Sequence, residues 1–124
     1  MNIKIVETNK GKAAVVNSDT PIINDGQSAL ELAVNIGYEH DCRDIVVNKA
    51  AISENFFRLS TGIAGEVAQK FVNYGCRLAV IGDFSEYTSK PLHDYIYECN
   101  KGGHLCFISD EEEALKKLGV GSGW

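Results

Sequence analysis

The stretch Arg58-Leu59-Ser60-Thr61-Gly62-Ile63-Ala64-Gly65-Glu66 puts two hydroxyls and a glycine directly ahead of an amphipathic run. A chain that leaves a loop and enters a helix there presents unpaired backbone N–H groups and the positive end of the helix dipole. An oxygen or a phosphate at Ser60, Thr61 or Gly62 is therefore stabilised. The spacing predicts an entrance that binds an anion, accepts a phosphate or docks a partner, with an ordinary Ser or Thr cap as the plain alternative. Further polar residues sit where loops are expected to leave strands or enter helices: Asn24 and Asp25, Asn48 and Lys49, and Asp83 and Ser85. Such side chains usually bond their own turns, but gathered at one edge they also suit a small anionic ligand.

Catalytic patterns are absent from the sequence. No nucleophile is paired with a base, and there is no P-loop or G-x-G-x-x-G. His40, His93 and His104 lack the spacing of metal ligands. Cys42, Cys76, Cys99 and Cys106 form no C-x-x-C pair, so they read as mostly buried free thiols rather than a zinc site or a disulfide framework. No catalytic residue, metal or cofactor is expected, and a non-enzymatic role is favoured over an enzyme.

These side chains need elements to hold them. Ile3 to Glu7 and Ala13 to Val16 are β-prone on either side of Asn9-Lys10-Gly11-Lys12, which predicts a hairpin. Asp25 precedes a helical pattern with Leu30, Ala33, Val34 and Gly37, and Ser28 with Glu31 is spaced as a capping box. Ile45-Val46-Val47 and Leu78-Ala79-Val80-Ile81 are continuous apolar runs of the kind buried on both faces of a sheet. Between them Ile63, Val67 and Phe71, flanked by Ala64, Ala68 and Val72, make an apolar stripe ended by Gly75. The two runs are expected to pair in parallel. Ser89-Lys90-Pro91 opens a helix whose inner face is Leu92, Tyr95, Ile96 and Cys99, and which Gly102-Gly103 closes. Leu105 to Ile108 is the last strand. Ser109-Asp110-Glu111-Glu112 starts a final helix with acids at its positive end, which Lys116, Lys117 and Gly119 finish.

The order β-β-α-β-α-β-α-β-α is an α/β layer fold: a mixed, mostly parallel sheet of about five strands with an N-terminal hairpin and about four helices. At 124 residues and 44% hydrophobic content, the chain is expected to form one domain over 1–119, followed by a flexible tail, 120–124, that includes Trp124. Loops leaving the C-terminal ends of parallel strands converge where open α/β sheets bind ligands. Aromatics around the second helix, Phe56, Phe57, Phe71 and Tyr74, read as core, whereas Tyr97 points elsewhere on its helix. A net charge of −5 without a Lys/Arg cluster excludes a nucleic-acid or anionic-membrane footprint. No apolar run reaches the roughly 18 to 20 residues of a membrane span, and MNIKIVETNKGK lacks the apolar middle of a signal peptide, so a cytoplasmic protein is expected. Monomer and homodimer both stay open.

Leu59-Ser60-Thr61-Gly62-Ile63, a helix, and then Gly75-Cys76-Arg77-Leu78-Ala79-Val80-Ile81-Gly82 resemble the central unit of STAS domains, the sulfate transporter and anti-sigma-factor antagonist group. In those antagonists an acidic residue precedes the serine that a partner kinase phosphorylates. The resemblance maps that hydroxyl onto Ser60, with Leu59 in the acidic position. Over its whole length the chain more closely resembles an uncharacterised bacterial family, domain of unknown function 4180. That likeness is carried by Ile22-Ile23-Asn24-Asp25, Thr61-Gly62-Ile63-Ala64-Gly65-Glu66, Gly82-Asp83-Phe84-Ser85 and Tyr97-Glu98-Cys99-Asn100-Lys101-Gly102. It implies the fold and no activity. The leading expectation is a STAS-like regulatory module that docks a protein partner at Ser60 to Gly62. The rival is a small-anion or nucleotide-binding protein, or an enzyme, with a strand-end site around Asp83, Asp25 and Lys49.

Overall fold

A computed structural model describes residues 1–8 and 11–119. The hairpin pairs β1 (Asn2–Thr8) antiparallel to β2 (Gly11–Asn17), with Ile3 opposite Val16 and Val6 opposite Ala13. Asn9 and Lys10 of the expected turn, and the tail with Trp124, lie outside the described residues. The apolar runs form β3 (Asp44–Asn48), β4 (Arg77–Ile81) and β5 (Leu105–Ile108), and β2 to β5 pair in parallel. The sheet therefore has five strands in the order β1-β2-β3-β4-β5, antiparallel only at its first pair.

That unbroken order fixes the layers. Each right-handed crossover advances the sheet in the same direction, so the helices inside the crossovers fall on one face. These are α1 (Gly26–His40), α2 (Ile63–Tyr74) and α3 (Lys90–Asn100). Ala33, Ile36, Val67, Phe71 and Leu92 from these helices pack with Val16, Ile45, Val47, Val80 and Phe107 of the sheet in one core. The opposite face carries α4 (Glu111–Gly119), whose Ala114 and Leu118 cover Val15, Val46, Ala79 and Cys106. Arg77 ties this layer down, because its guanidinium forks onto Asp44 at 2.8 and 2.9 Å and also donates to the Leu118 carbonyl at 3.1 Å.

Two expectations about α1 need correction. The capping box is set one step earlier: Asp25 accepts from Ser28 N at 2.8 Å, and the Ser28 hydroxyl takes the Asp25 and Asn24 N–H groups. Ser28 thus closes the box instead of opening one with Glu31. The buried stripe is Gly26, Ala29, Ala33 and Ile36, so Leu30 is only half buried and Val34 is exposed. Small residues let α1 and α2 approach closely. At Gly26 an added Cβ would lie 2.7 Å from Glu66 Oε1, which accepts the Gly26 N–H. In α2 the expected stripe narrows to Ala64, Val67 and Phe71, with Val72 exposed, and Gly75 ends the helix at φ 74°.

Asn100 at the end of α3 closes one sheet edge. Its amide donates to the Phe107 carbonyl at 2.9 Å and accepts the Phe107 N–H at 2.8 Å, occupying the outer side of β5. His40 belongs to the last turn of α1, and His104 bonds the Cys76 carbonyl through Nδ1 at 2.7 Å. Cys42, Cys76 and Cys106 are buried and Cys99 is half buried, all as free thiols. Burial pushes the Cys106 thiol up to about 12.

Candidate functional site

The connections that follow β3 and β4 meet at the C-terminal end of the sheet, as parallel pairing requires. After β3 the chain makes three short 3-10 turns, Lys49–Ala51, Glu54–Phe57 and Leu59–Thr61, before Gly62 turns it into α2 with φ 77°. Phe56 and Phe57 point inward from the middle turn and fix it to the core. After β4 the segment from Gly82 to Ser89 leads into α3, whose first turn takes Pro91 and whose Leu92 N–H is capped by Ser89. Aromatic packing joins the two connections. Tyr87 stacks on Phe57 at 5.0 Å, and Phe84 meets Phe107 edge-on at 5.4 Å.

At the strand ends the expected ligand residues are consumed by structure. Asn48 Oδ1 accepts the Ser18 N–H at 2.9 Å and its amide donates to the Ser18 carbonyl at 2.8 Å, extending the β2–β3 ladder by a side chain. Lys49 is ion-paired with Glu86, its Nζ lies 4.6 Å from the centre of the Tyr87 ring, and its stem rests on Gly82. An added Cβ at Gly82 would come within 2.8 Å of Lys49 Cβ, so this crossing needs glycine. Glu86 holds the Lys49 ammonium above its ordinary value, against the opposing effect of desolvation. Asp83 accepts from the Ser85 hydroxyl at 2.6 Å and from its N–H at 2.9 Å, and these bonds hold its carboxyl below the usual range. Asn24 and Asp25 form the α1 entrance, joined to this end through Ile23, which bridges Ile52 in parallel. A hollow of about 410 Å³ lined by Pro21, Lys49, Ala50, Ile52 and Glu54 lies here.

The helix entrance is arranged differently. Thr61 braces the entrance: its one hydroxyl proton is shared between the carbonyls of Arg58 (2.8 Å) and Asn55 (2.9 Å), and its oxygen accepts the Ile63 N–H at 3.3 Å. Gly62 supplies the left-handed turn. Ser60 is exposed, and its hydroxyl makes no hydrogen bond among the described residues. It borders an open cleft of about 670 Å³ whose walls are the Glu54–Ser60 segment, without Asn55 and Phe56, and the Tyr87–Leu92 segment, without Lys90. The Tyr87 hydroxyl reaches both oxygens of Glu54, at 3.0 and 3.1 Å, and the His93 ring bonds the Tyr87 carbonyl through Nε2, so this wall is pinned at both ends. Burial raises the Tyr87 phenol above its ordinary value.

Ser60 lies just ahead of α2, where its spacing in the sequence puts it, and the residues facing it across the cleft carry no comparable local signal. Arg58, Tyr87, Thr88 and Pro91 line the cleft with Ser60. The available signal was that Ser60 and Ser89 each open the segment before a helix, after adjacent parallel strands. Asp83, Ser85, Asn24 and Asp25 do not line the cleft. Among the described residues no group of three or more His, Cys, Asp and Glu side chains is placed to hold a metal ion. No helix among them is long and apolar enough to cross a membrane. No curated protein and no solved structure matches the chain. Residues 8–118 match the family described as Domain of unknown function (DUF4180), and the chain belongs to that family.

Proposed function

We propose that this chain is a non-catalytic binding and regulatory module that docks a protein partner in the cleft beside the Ser60–Gly62 helix entrance. The observation that carries this reading is the state of Ser60: an exposed hydroxyl, unbonded among the described residues, on the rim of a cleft whose walls are held by hydrogen bonds and ring stacking at Glu54, Tyr87 and Phe57. A phosphate there adds about −1.5 to −2 charges. Arg58, two residues away, makes no ion pair among the described residues, so the new charge would compete for it.

The likeness to STAS antagonists enters the proposal through element order and through the place of Ser60. Leu59 is half buried against the main core, so a carboxylate in its position would be carried toward apolar neighbours. Leu59 thus departs from the acidic residue of those antagonists at a position that favours an apolar side chain. The rival strand-end site around Asp83 draws less support, because Asp83, Asn48 and Lys49 already have partners.

A photo-crosslinking amino acid at Thr88, across the cleft, tests the reading against the same group at exposed Tyr38 of α1. The expected result is a crosslinked protein from position 88, none from position 38, and a weaker product when Ser60→Asp is added. No product from 88, or a product indifferent to Ser60→Asp, would remove the reading.

A further inference from the structure

Resting on the reading of the cleft as a docking site for a protein partner, we infer that it takes the C-terminal carboxylate of that partner, carried on an apolar terminal residue. Arg58 is the reason. Its backbone is held on both sides: the N–H donates to the Asn55 carbonyl at 3.2 Å, and its carbonyl accepts from Thr61 N at 3.0 Å and from the Thr61 hydroxyl at 2.8 Å. The guanidinium, by contrast, is exposed and makes no hydrogen bond or ion pair among the described residues. A planar cationic fork carried by a bonded backbone matches a carboxylate in two parallel hydrogen bonds.

Two more groups in the lining are uncommitted. The Ser60 and Thr88 hydroxyls are exposed and unbonded among the described residues, and they lie on facing walls. Hydroxyls and a guanidinium can all donate to an anion. The one carboxylate in the lining, Glu54, is already engaged by the Tyr87 hydroxyl.

Ser89 also lines the cleft, its hydroxyl taken by the Leu92 N–H, and the rest of the lining is mainly apolar: Leu59, Pro91, Leu92 and the stacked Phe57–Tyr87 pair. A cleft of about 670 Å³ with mostly apolar walls and a few convergent donors has the size and make-up of a small-ligand site. A bare inorganic anion would use Arg58 and leave those walls wet. A ligand with an apolar body beside its charge uses both, which is why the carboxylate of a chain end on an apolar residue fits better than phosphate.

The test uses the whole chain, its amide ¹H–¹⁵N spectrum, and defined probes: N-acetyl-L-phenylalanine, its primary amide, phenylacetate, inorganic phosphate, and a short peptide ending in Phe with a free or an amidated terminus. The acids are expected to shift the amides of Leu59, Ser60 and Thr88 and to bind at least about tenfold more tightly than the amides, since bonds to a charged acceptor are the stronger class. That advantage should shrink with added salt and vanish in Arg58→Ala, whose spectrum away from the cleft stays unchanged. Tighter binding of the peptide acid than of the acetyl amino acid is expected of a chain end; equal binding would overturn the chain end in favour of a small acid. Equal binding of acids and amides, phosphate binding as tightly as the acids, or discrimination that survives Arg58→Ala would overturn the carboxylate while leaving the cleft as a docking site. Cleft amides that answer no probe, together with a silent crosslinker at position 88, would remove the docking reading itself.

Discussion

Two neighbouring hollows at the C-terminal end of the sheet are built from similar residue types and hold them in opposite states. In the strand-end hollow and the turns around it, Asn48, Lys49, Asp83 and Ser85 each have a partner within the fold. In the cleft, Arg58, Ser60 and Thr88 have none among the described residues, although the backbone that carries Arg58 is firmly bonded. Polar residues at strand ends are thus poor guides to a site when taken by type. What distinguishes a site is a fixed backbone presenting polar heads that the fold does not use.

Substitutions can break or sharpen that contrast. The largest effect is expected at Phe57, whose ring stacks under Tyr87 and meets Phe56 at 5.0 Å, supporting the cleft from beneath. Phe57→Ala should cost about 3–5 kcal/mol in denaturant unfolding and also abolish the cleft's probe response. A loss near zero would mean that the cleft does not share the core. Asn48→Ala comes next. It strands the Ser18 N–H and carbonyl, which should cost about 1–3 kcal/mol and speed amide exchange at Ser18 without altering the cleft.

Smaller again is the acid response. The carboxyls of Asp25 and Asp83 are lowered from an ordinary value of 3.8, chiefly by bonds from Ser28 and Ser85. Each contributes stability that is fully present above 3.8 and is lost as pH falls through that value toward the lowered folded value. Asp83→Asn should flatten part of this acid limb in a series of unfolding curves, and an unchanged limb would show that the Asp83–Ser85 turn contributes nothing. Least of all should change in Arg58→Ala and Ser60→Ala, each within about 0.5 kcal/mol of the parent stability. A large loss in either would make the cleft's free groups structural and erase the difference between the hollows.

The fold was legible because its signals are local. The runs at Ile45–Val47 and Leu78–Ile81, the left-handed end at Gly75, and the Ser89–Pro91 start of α3 each depend on a few adjacent residues. In α1 the pattern misled, because Ser28 can open or close a capping box, and only the tertiary contact of Gly26 with Glu66 decides which stripe turns inward. The partner of Asn48 lies 30 residues away, and Arg58 is notable for lacking a side-chain partner among the described residues. Neither fact leaves a mark on the residues beside it. Ser60 could be placed at a helix entrance, but the division of labour between it and Thr61 depends on which hydroxyl faces the Asn55 carbonyl.

The unbroken strand order also bears on how the chain assembles as it leaves the ribosome. Every strand after the first adds beside one that has already emerged, so no strand must wait for a later one or be inserted between two others. Growth by single additions leaves one apolar face, with Val15, Val46, Ala79, Cys106 and Ile108, without its cover until α4 is made. Docking of that last helix, clasped to the first strand by the Lys4–Glu111 pair at 2.9 Å, is the step that converts a sticky nascent sheet into a protected one.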